Sequence, residues 1–163
     1  MSNKIHETAI VHESVKIGNH NIIGPYTIIN EDCVIGNHNI IGPLNVIEKG
    51  SRIGDNCTMQ PHCVISIETI LENNVFIGPH YSCSNDPNIS DGPHGTSPNK
   101  RGYEAKAITL KKNCMLGSRV SIAPGITIGE HARVDMCCFI TKNVEPYAHM
   151  RTDKVIAGKI LSK

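Results

Sequence analysis

Residues 17–25 read Ile-Gly-Asn-His-Asn-Ile-Ile-Gly-Pro, and the same nine residues return unchanged at 35–43, eighteen positions later. A literal repeat of that length points to one coil of chain laid on another. Counting in sixes from Ile5 gives Val11, Ile17, Ile23, Ile29, Ile35, Ile41, Ile47, Ile53, Met59, Ile65, Leu71 and Ile77, all aliphatic or Met. The phase breaks after Cys83 and resumes as Leu110, Leu116, Ile122, Ile128, Val134 and Ile140. A helix would repeat near every third or fourth residue and a lone amphipathic strand every second. A strict six fits a short strand followed by a corner, with three sixes to a coil.

The position four after each aliphatic is mostly small, as at Asn21, Thr27, Cys33, Asn39, Asn45, Ser51, Cys57, Cys63, Cys114 and Cys138. It precedes the next aliphatic by two, so both point inward and the residue between them points out. The position just after the aliphatic is often Gly, as at Gly18, Gly24, Gly36, Gly42, Gly54, Gly78, Gly117 and Gly129. Glycine suits a corner because it tolerates backbone angles that other residues resist. Asn21 and Asn39 fall one coil apart on inward positions, where stacked amides are expected to satisfy one another.

This pattern, aliphatic-Gly-x-x-small-x over residues 5–83 and 110–145, resembles the hexapeptide repeat of left-handed parallel β-helix proteins. The resemblance implies an all-β, left-handed β-helix of six to seven coils, an exception to the right-handed crossover rule. It divides the chain into coils at 1–83, an extruded loop at 84–107, further coils at 108–145 and a C-terminal cap at 146–163. Residues 155–161 are expected to form a strand or short helix covering the last strand edges. The loop carries three Pro and three Gly, which forbid a regular element. A loop of that length in a compact fold is usually functional or disordered, and its interruption of an otherwise unbroken register favours function.

The 163 residues suit one domain, and two Phe, four Tyr and no Trp suit a narrow prism filled by Ile, Val and small side chains. A net charge of +1 gives no field for nucleic acid. No run is long enough to span a membrane and the first residues have no apolar leader core, so the expected location is cytoplasmic. Seven cysteines raise disulfide and zinc readings. However, Cys33, Cys57, Cys63, Cys114 and Cys138 take the small inward position, and Cys83 takes the aliphatic phase. They read as buried filler, with no metal implied. Cys137 falls at a corner.

Residues 116–129 resemble the acetyl-CoA-binding coils of hexapeptide acyltransferases. The resemblance implies acetyl-CoA as co-substrate, lying between neighbouring subunits of a homotrimer. The small corner residues Gly117, Ser118, Ala123 and Gly125 would admit its pantetheine arm, and Lys142, Lys154 or Lys159 would meet its phosphates. Two segments depart from the family pattern. Asp135-Met136-Cys137-Cys138 replaces a run of Ala and Gly, and residues 152–159 replace the usual closing phrase. Both lie where the adenine end would bind.

Residues 76–87 resemble the entry to the active-site loop of nucleotide-sugar N-acetyltransferases. The implied acceptor is the amine of a nucleotide-linked amino sugar, in cell-surface polysaccharide synthesis. Asn85 would hold the sugar or its amine, with Asp86 beside it. Six of the nine histidines (His20, His38, His62, His80, His131 and His149) fall three after the phase residue, so a corner place is ordinary for each. His62 and His80 should stack in successive coils. His80, which leads into the loop, is the candidate base or substrate ligand; His62 and His94, in the loop, are further candidate contacts. A hydroxyl acceptor would need a general base, normally His, whereas an amine that binds neutral needs less help. The alternative reading is therefore an O-acetyltransferase on a sugar or other small hydroxyl acceptor. A zinc carbonic-anhydrase-like enzyme is a more distant reading, since its His-x4-His pair is missing. A non-catalytic assembly module is another, against which the long loop argues.

Overall fold

The computed structural model describes residues 2–87 and 105–152 of the chain. The proposed cap at 155–161 and most of the loop lie outside them. The fold is a left-handed parallel β-helix, with no helix among the described residues. Each coil contributes two-residue strands to three flat faces.

The first face is one ladder of eight strands: Lys4–Ile5, Ile22–Ile23, Ile40–Ile41, Thr58–Met59, Phe76–Ile77, Met115–Leu116, Arg133–Val134 and His149–Met150. The third face runs from Lys16–Ile17 through Val34–Ile35, Arg52–Ile53, Ile70–Leu71 and Thr109–Leu110 to Thr127–Ile128. The second face is split. Ile10–Val11, Ile28–Ile29, Val46–Ile47 and Val64–Ile65 form one ladder, and Ser82–Cys83, Ser121–Ile122 and Phe139–Ile140 form another. The break is local. Ser66 N–H would donate to the carbonyl of Cys83 in a regular coil, but donates at 3.2 Å to its Sγ instead.

The phase residues pack on one another along the axis, with Ile29, Ile47, Ile65, Ile77 and Leu110 fully buried. The small inward positions do more than fill space. Asn21 Nδ2 donates to Gly36 O at 2.8 Å, Thr27 Oγ1 to Gly42 O at 2.7 Å and Cys33 Sγ to Glu48 O at 3.1 Å. Each donor reaches the corner carbonyl fifteen residues on. Where the position holds Asn, Thr or Cys, its short side chain thus donates to a neighbouring corner carbonyl. The asparagine ladder differs from simple amide stacking. Asn21 Oδ1 accepts the backbone N–H of Asn39 at 2.9 Å, and Asn39 Oδ1 that of Cys57 at 2.7 Å. The amides thus satisfy a backbone that strand pairing leaves open at the corners.

The glycine after each phase residue has a different cause from the one expected. Its φ is not left-handed. The left-handed residue comes two later, as at His20, Tyr26, His80 and Arg119, with φ between 57 and 60°. The glycine is needed because the coils touch there: a Cβ on Gly117 would lie 2.6 Å from the backbone N of Met136.

The last turn is sixteen residues rather than eighteen, since Ile128 bridges Val144 and Val134 pairs with Met150. The coil thus continues beyond Pro146. Tyr147 takes the corner, stacked on His131 with centroids 4.8 Å apart. His149, placed at a corner by counting in sixes, becomes a first-face strand residue whose Nε2 meets Asp135 Oδ1 at 2.8 Å.

All seven cysteines are free thiols. Five are buried, Cys83 is half-buried and Cys137 is exposed. Burial pushes the Cys63 thiol up to about 11 and the Cys114 thiol up to about 12.

Candidate functional site

The loop leaves and re-enters at the corner between the second and third faces. Its ends are pinned there, where Lys106 N–H donates to Asn85 O at 2.8 Å and Gly125 N–H to Lys106 O at 3.0 Å. The insertion lengthens this one coil, so Ser82 lies thirty-nine residues from its partner Ser121. The two hydroxyls bond at 2.9 Å on the outer surface. Below them the same face is apolar, with Ile10, Ile28, Val46 and Val64 in outward positions; above them stands Phe139. The face therefore changes from aliphatic to hydroxyl at the coil that carries the loop.

Two rims flank this hydroxyl floor. On the corner shared with the first face, the imidazoles of His62 and His80 stack with centroids 4.9 Å apart and planes 7° from parallel. Arg119 follows in the next coil, its N–H donating to Pro79 O at 2.9 Å. Both histidines and Arg119 are exposed. The opposite rim carries Asn85, Asp86, Lys106, Ala123, Gly125 and Lys142. His80 and Asn85 are five residues apart along the coil, a span of at most about 18 Å.

The expected co-substrate residues divide between the rims, Gly117 and Ser118 on one and Ala123 and Gly125 on the other. The backbone N–H groups of Gly117, Ala123 and Gly125 already bond Val134 O, Ile140 O and Lys106 O, at 2.8, 2.9 and 3.0 Å. Ser118 differs, because neither its hydroxyl nor its N–H has a hydrogen-bond partner among the described residues. Gly125 has its own backbone reason to be glycine, with φ at +74°. Lys142 makes no ion pair among the described residues. His94, Lys154 and Lys159 lie outside the described residues.

Counting in sixes did not reach Ser82, Ser121, Arg119 or Phe139. The signal for the serines is the outward strand position, read across the insertion. For Arg119 it is the corner series that already held His62 and His80.

A separate cleft of about 620 Å3 lies where the third face turns into the first. Both of its lysines are already paired, Lys111 Nζ with Glu72 at 2.8 Å and Lys112 Nζ with Glu130 at 3.2 Å. The ion pairs hold both carboxyls below their ordinary range. Among the described residues, no three His, Cys, Asp or Glu side chains gather as metal ligands. No described helix is long and apolar enough to cross a membrane.

Comparison with known families matches residues 32–66 to the bacterial transferase hexapeptide (six repeats) and residues 108–142 to the hexapeptide repeat of succinyl-transferase. No curated protein matches the chain by sequence. Solved structures share its coil. A UDP-N-acetylglucosamine acyltransferase from Bacteroides fragilis superposes with a TM-score of 0.72 at 18% identity, over 91% of this chain and 57% of its own. A hexapeptide-repeat acetyltransferase from Vibrio cholerae, complexed with acetyl coenzyme A, gives 0.55 at 17% identity, over 87% and 64%. A UDP-N-acetylglucosamine acyltransferase from Francisella novicida gives 0.53 at 19%, over 89% and 65%. The chain thus spans less than two thirds of each of these proteins.

Proposed function

We propose that this chain, whose coils match hexapeptide-repeat transferase models over residues 32–66 and 108–142, is an acyltransferase. It carries the acetyl group of acetyl-CoA to the amine of a nucleotide-linked amino sugar, in the cytoplasm, for cell-surface polysaccharide. The observation that carries this reading is the change of the second face from aliphatic to hydroxyl at the one coil that extrudes a loop. That change lies between an imidazole rim and a neck formed by Asn85 and Lys106.

In this reading, Asn85 and Asp86 orient the acceptor at the neck. Its amine attacks the thioester carbonyl, a C–N bond forms, and the C–S bond breaks to release the CoA thiolate. The proton shed by the nitrogen passes to a ring nitrogen of His80, against which His62 is stacked, and from there to the departing thiolate, which leaves as the CoA thiol. Ser118, whose hydroxyl and N–H are unbonded among the described residues, holds the arm of the acyl donor, and Gly117, Ala123 and Gly125 keep the corners low. Lys142 meets donor phosphate.

The active assembly is a homotrimer with sites between subunits. Apolar side chains on the first face (Ile22, Ile40, Phe76, Met115), on the second (Ile10, Val64) and on the edge they share (Tyr26, Leu44) are all exposed. Two apolar faces meeting at one edge suit head-to-tail contact that closes into a ring.

A second reading, transfer to a hydroxyl, is favoured by the exposed His62–His80 pair, since an alcohol needs the base that an amine does without. Calorimetric titration with acetyl-CoA, followed by mass spectrometry of products from a panel of amino-sugar nucleotides, tests the proposal. Saturable binding and a mass gain of one acetyl group support it. Absence of acetyl-CoA binding by the folded oligomer would remove it.

A further inference from the structure

Phe139 is 69% exposed on a strand of the second face, although the chain has only two phenylalanines to spend. Its ring stands in the column above Ser121 and Ser82, since Phe139 pairs with Ser121 and Ser121 with Ser82. Arg119 occupies the corner two residues before Ser121, and Lys142 the opposite corner three residues after Phe139. Neither cation makes an ion pair among the described residues. The one acid of the adjoining Asp135-Met136-Cys137-Cys138 corner is already engaged, Asp135 with His149 at 2.8 Å.

An exposed flat ring between two uncommitted cations, one strand spacing from a pair of hydroxyls, has the chemistry of a nucleotide site. The ring stacks on a base, the cations take phosphates, and the hydroxyls reach a sugar. A guanidinium also meets a diphosphate with a planar fork of donors that a lysine lacks.

We infer that Phe139, Arg119 and Lys142 form a binding site for a nucleoside diphosphate, with the base stacked on Phe139 and the diphosphate held from the Arg119 rim. The inference rests on the proposed transferase reading. Both substrates of that reading contain a nucleoside diphosphate, so the acyl donor and the sugar nucleotide are its two possible sources.

The test titrates CoA and, separately, UDP into wild-type protein and into Phe139→Ala, Phe139→Tyr, Arg119→Ala and Arg119→Lys, with oligomer mass recorded for each. Phe139→Ala and Arg119→Ala should each raise the Kd of one of the two probes by about tenfold or more. Phe139→Tyr, which keeps the ring, should stay close to wild type, and Arg119→Lys should fall between. A loss confined to CoA assigns the site to the acyl donor, and a loss confined to UDP assigns it to the sugar nucleotide. If wild type binds a probe and both alanine variants bind it equally well, the inference fails while the transferase reading stands. An altered oligomer mass in Phe139→Ala, with binding unchanged in Arg119→Ala, makes the ring a subunit contact and overturns the inference. If wild type binds neither probe, both readings fall together.

Discussion

The carbonyl of Asn85 accepts the backbone N–H of Lys106 at 2.8 Å, so the two ends of the loop are tied together at the edge of the coil stack. Gly125 N–H then bonds Lys106 O at 3.0 Å, which ties that neck to the next coil. These two bonds close the coil across the base of the loop. Replacing residues 88–104 with a short Gly-Ser linker should keep the melting temperature within a few degrees, because loop length changes closure entropy only slowly. Transfer should be abolished. A collapse of thermal stability in this variant would show that the segment is structural and would remove its claim as an active-site loop.

The two rims make different demands on mutation. Asn85→Ala keeps the backbone carbonyl of the neck and removes only the side-chain amide, so turnover should fall at least tenfold with the oligomer intact. Steady-state kinetics beside a sedimentation run would read both. His80→Ala separates the acceptors. A hydroxyl acceptor should lose about a hundredfold or more in kcat, in line with the usual worth of a general base. An amine acceptor should lose much less.

The inward asparagines serve as backbone caps. Asn39 Nδ2 donates to Gly54 O at 2.9 Å and its Oδ1 accepts from Cys57 N–H at 2.7 Å, in a side chain that is fully buried. Asn39→Ala strands a donor and an acceptor in the wall of the prism, which costs about 1–3 kcal/mol for each buried group left unsatisfied. A thermal melt should show a clear drop. Asn39→Ala melting like wild type would mean that water replaces the amide there.

Most of the coil could be read directly, because every turn solves the same packing problem with the same residue types. Ile23, Ile41 and Ile77 could be placed in the core from their spacing alone. What could not be read is whatever breaks the period. The thirty-nine residue offset from Ser82 to Ser121 hides a hydroxyl pair from anyone counting eighteens. The shortened last turn is equally silent, since Val144 is an acceptable inward residue in either register. Gly117 shows a third limit. A glycine at a corner looks alike whether it admits a left-handed backbone, a ligand or the neighbouring coil, and only the 2.6 Å approach to Met136 N identifies the coil as a cause.

The buried thiols give the fold an alkaline limit. Cys63 Sγ lies against Gln60 O at 3.1 Å and Gly78 O at 3.3 Å, and burial raises its thiol from 9.0 to about 11. Cys114, also buried, is raised from 9.0 to about 12. In the unfolded chain these thiols ionise near their ordinary value, while in the folded chain they stay neutral. Their contribution is therefore fully present below about pH 9 and is lost as pH climbs toward the folded values. Each such thiol weakens the fold by about 1.4 kcal/mol per pH unit across that window. The melting temperature should hold steady from pH 7 to 9 and then fall steeply. In Cys63→Ser with Cys114→Ser the hydroxyls keep the size and the donors but do not titrate there. The double variant should start from a lower plateau and fall less steeply between pH 9 and 11. Parallel curves for the two proteins would mean that other groups set the alkaline limit.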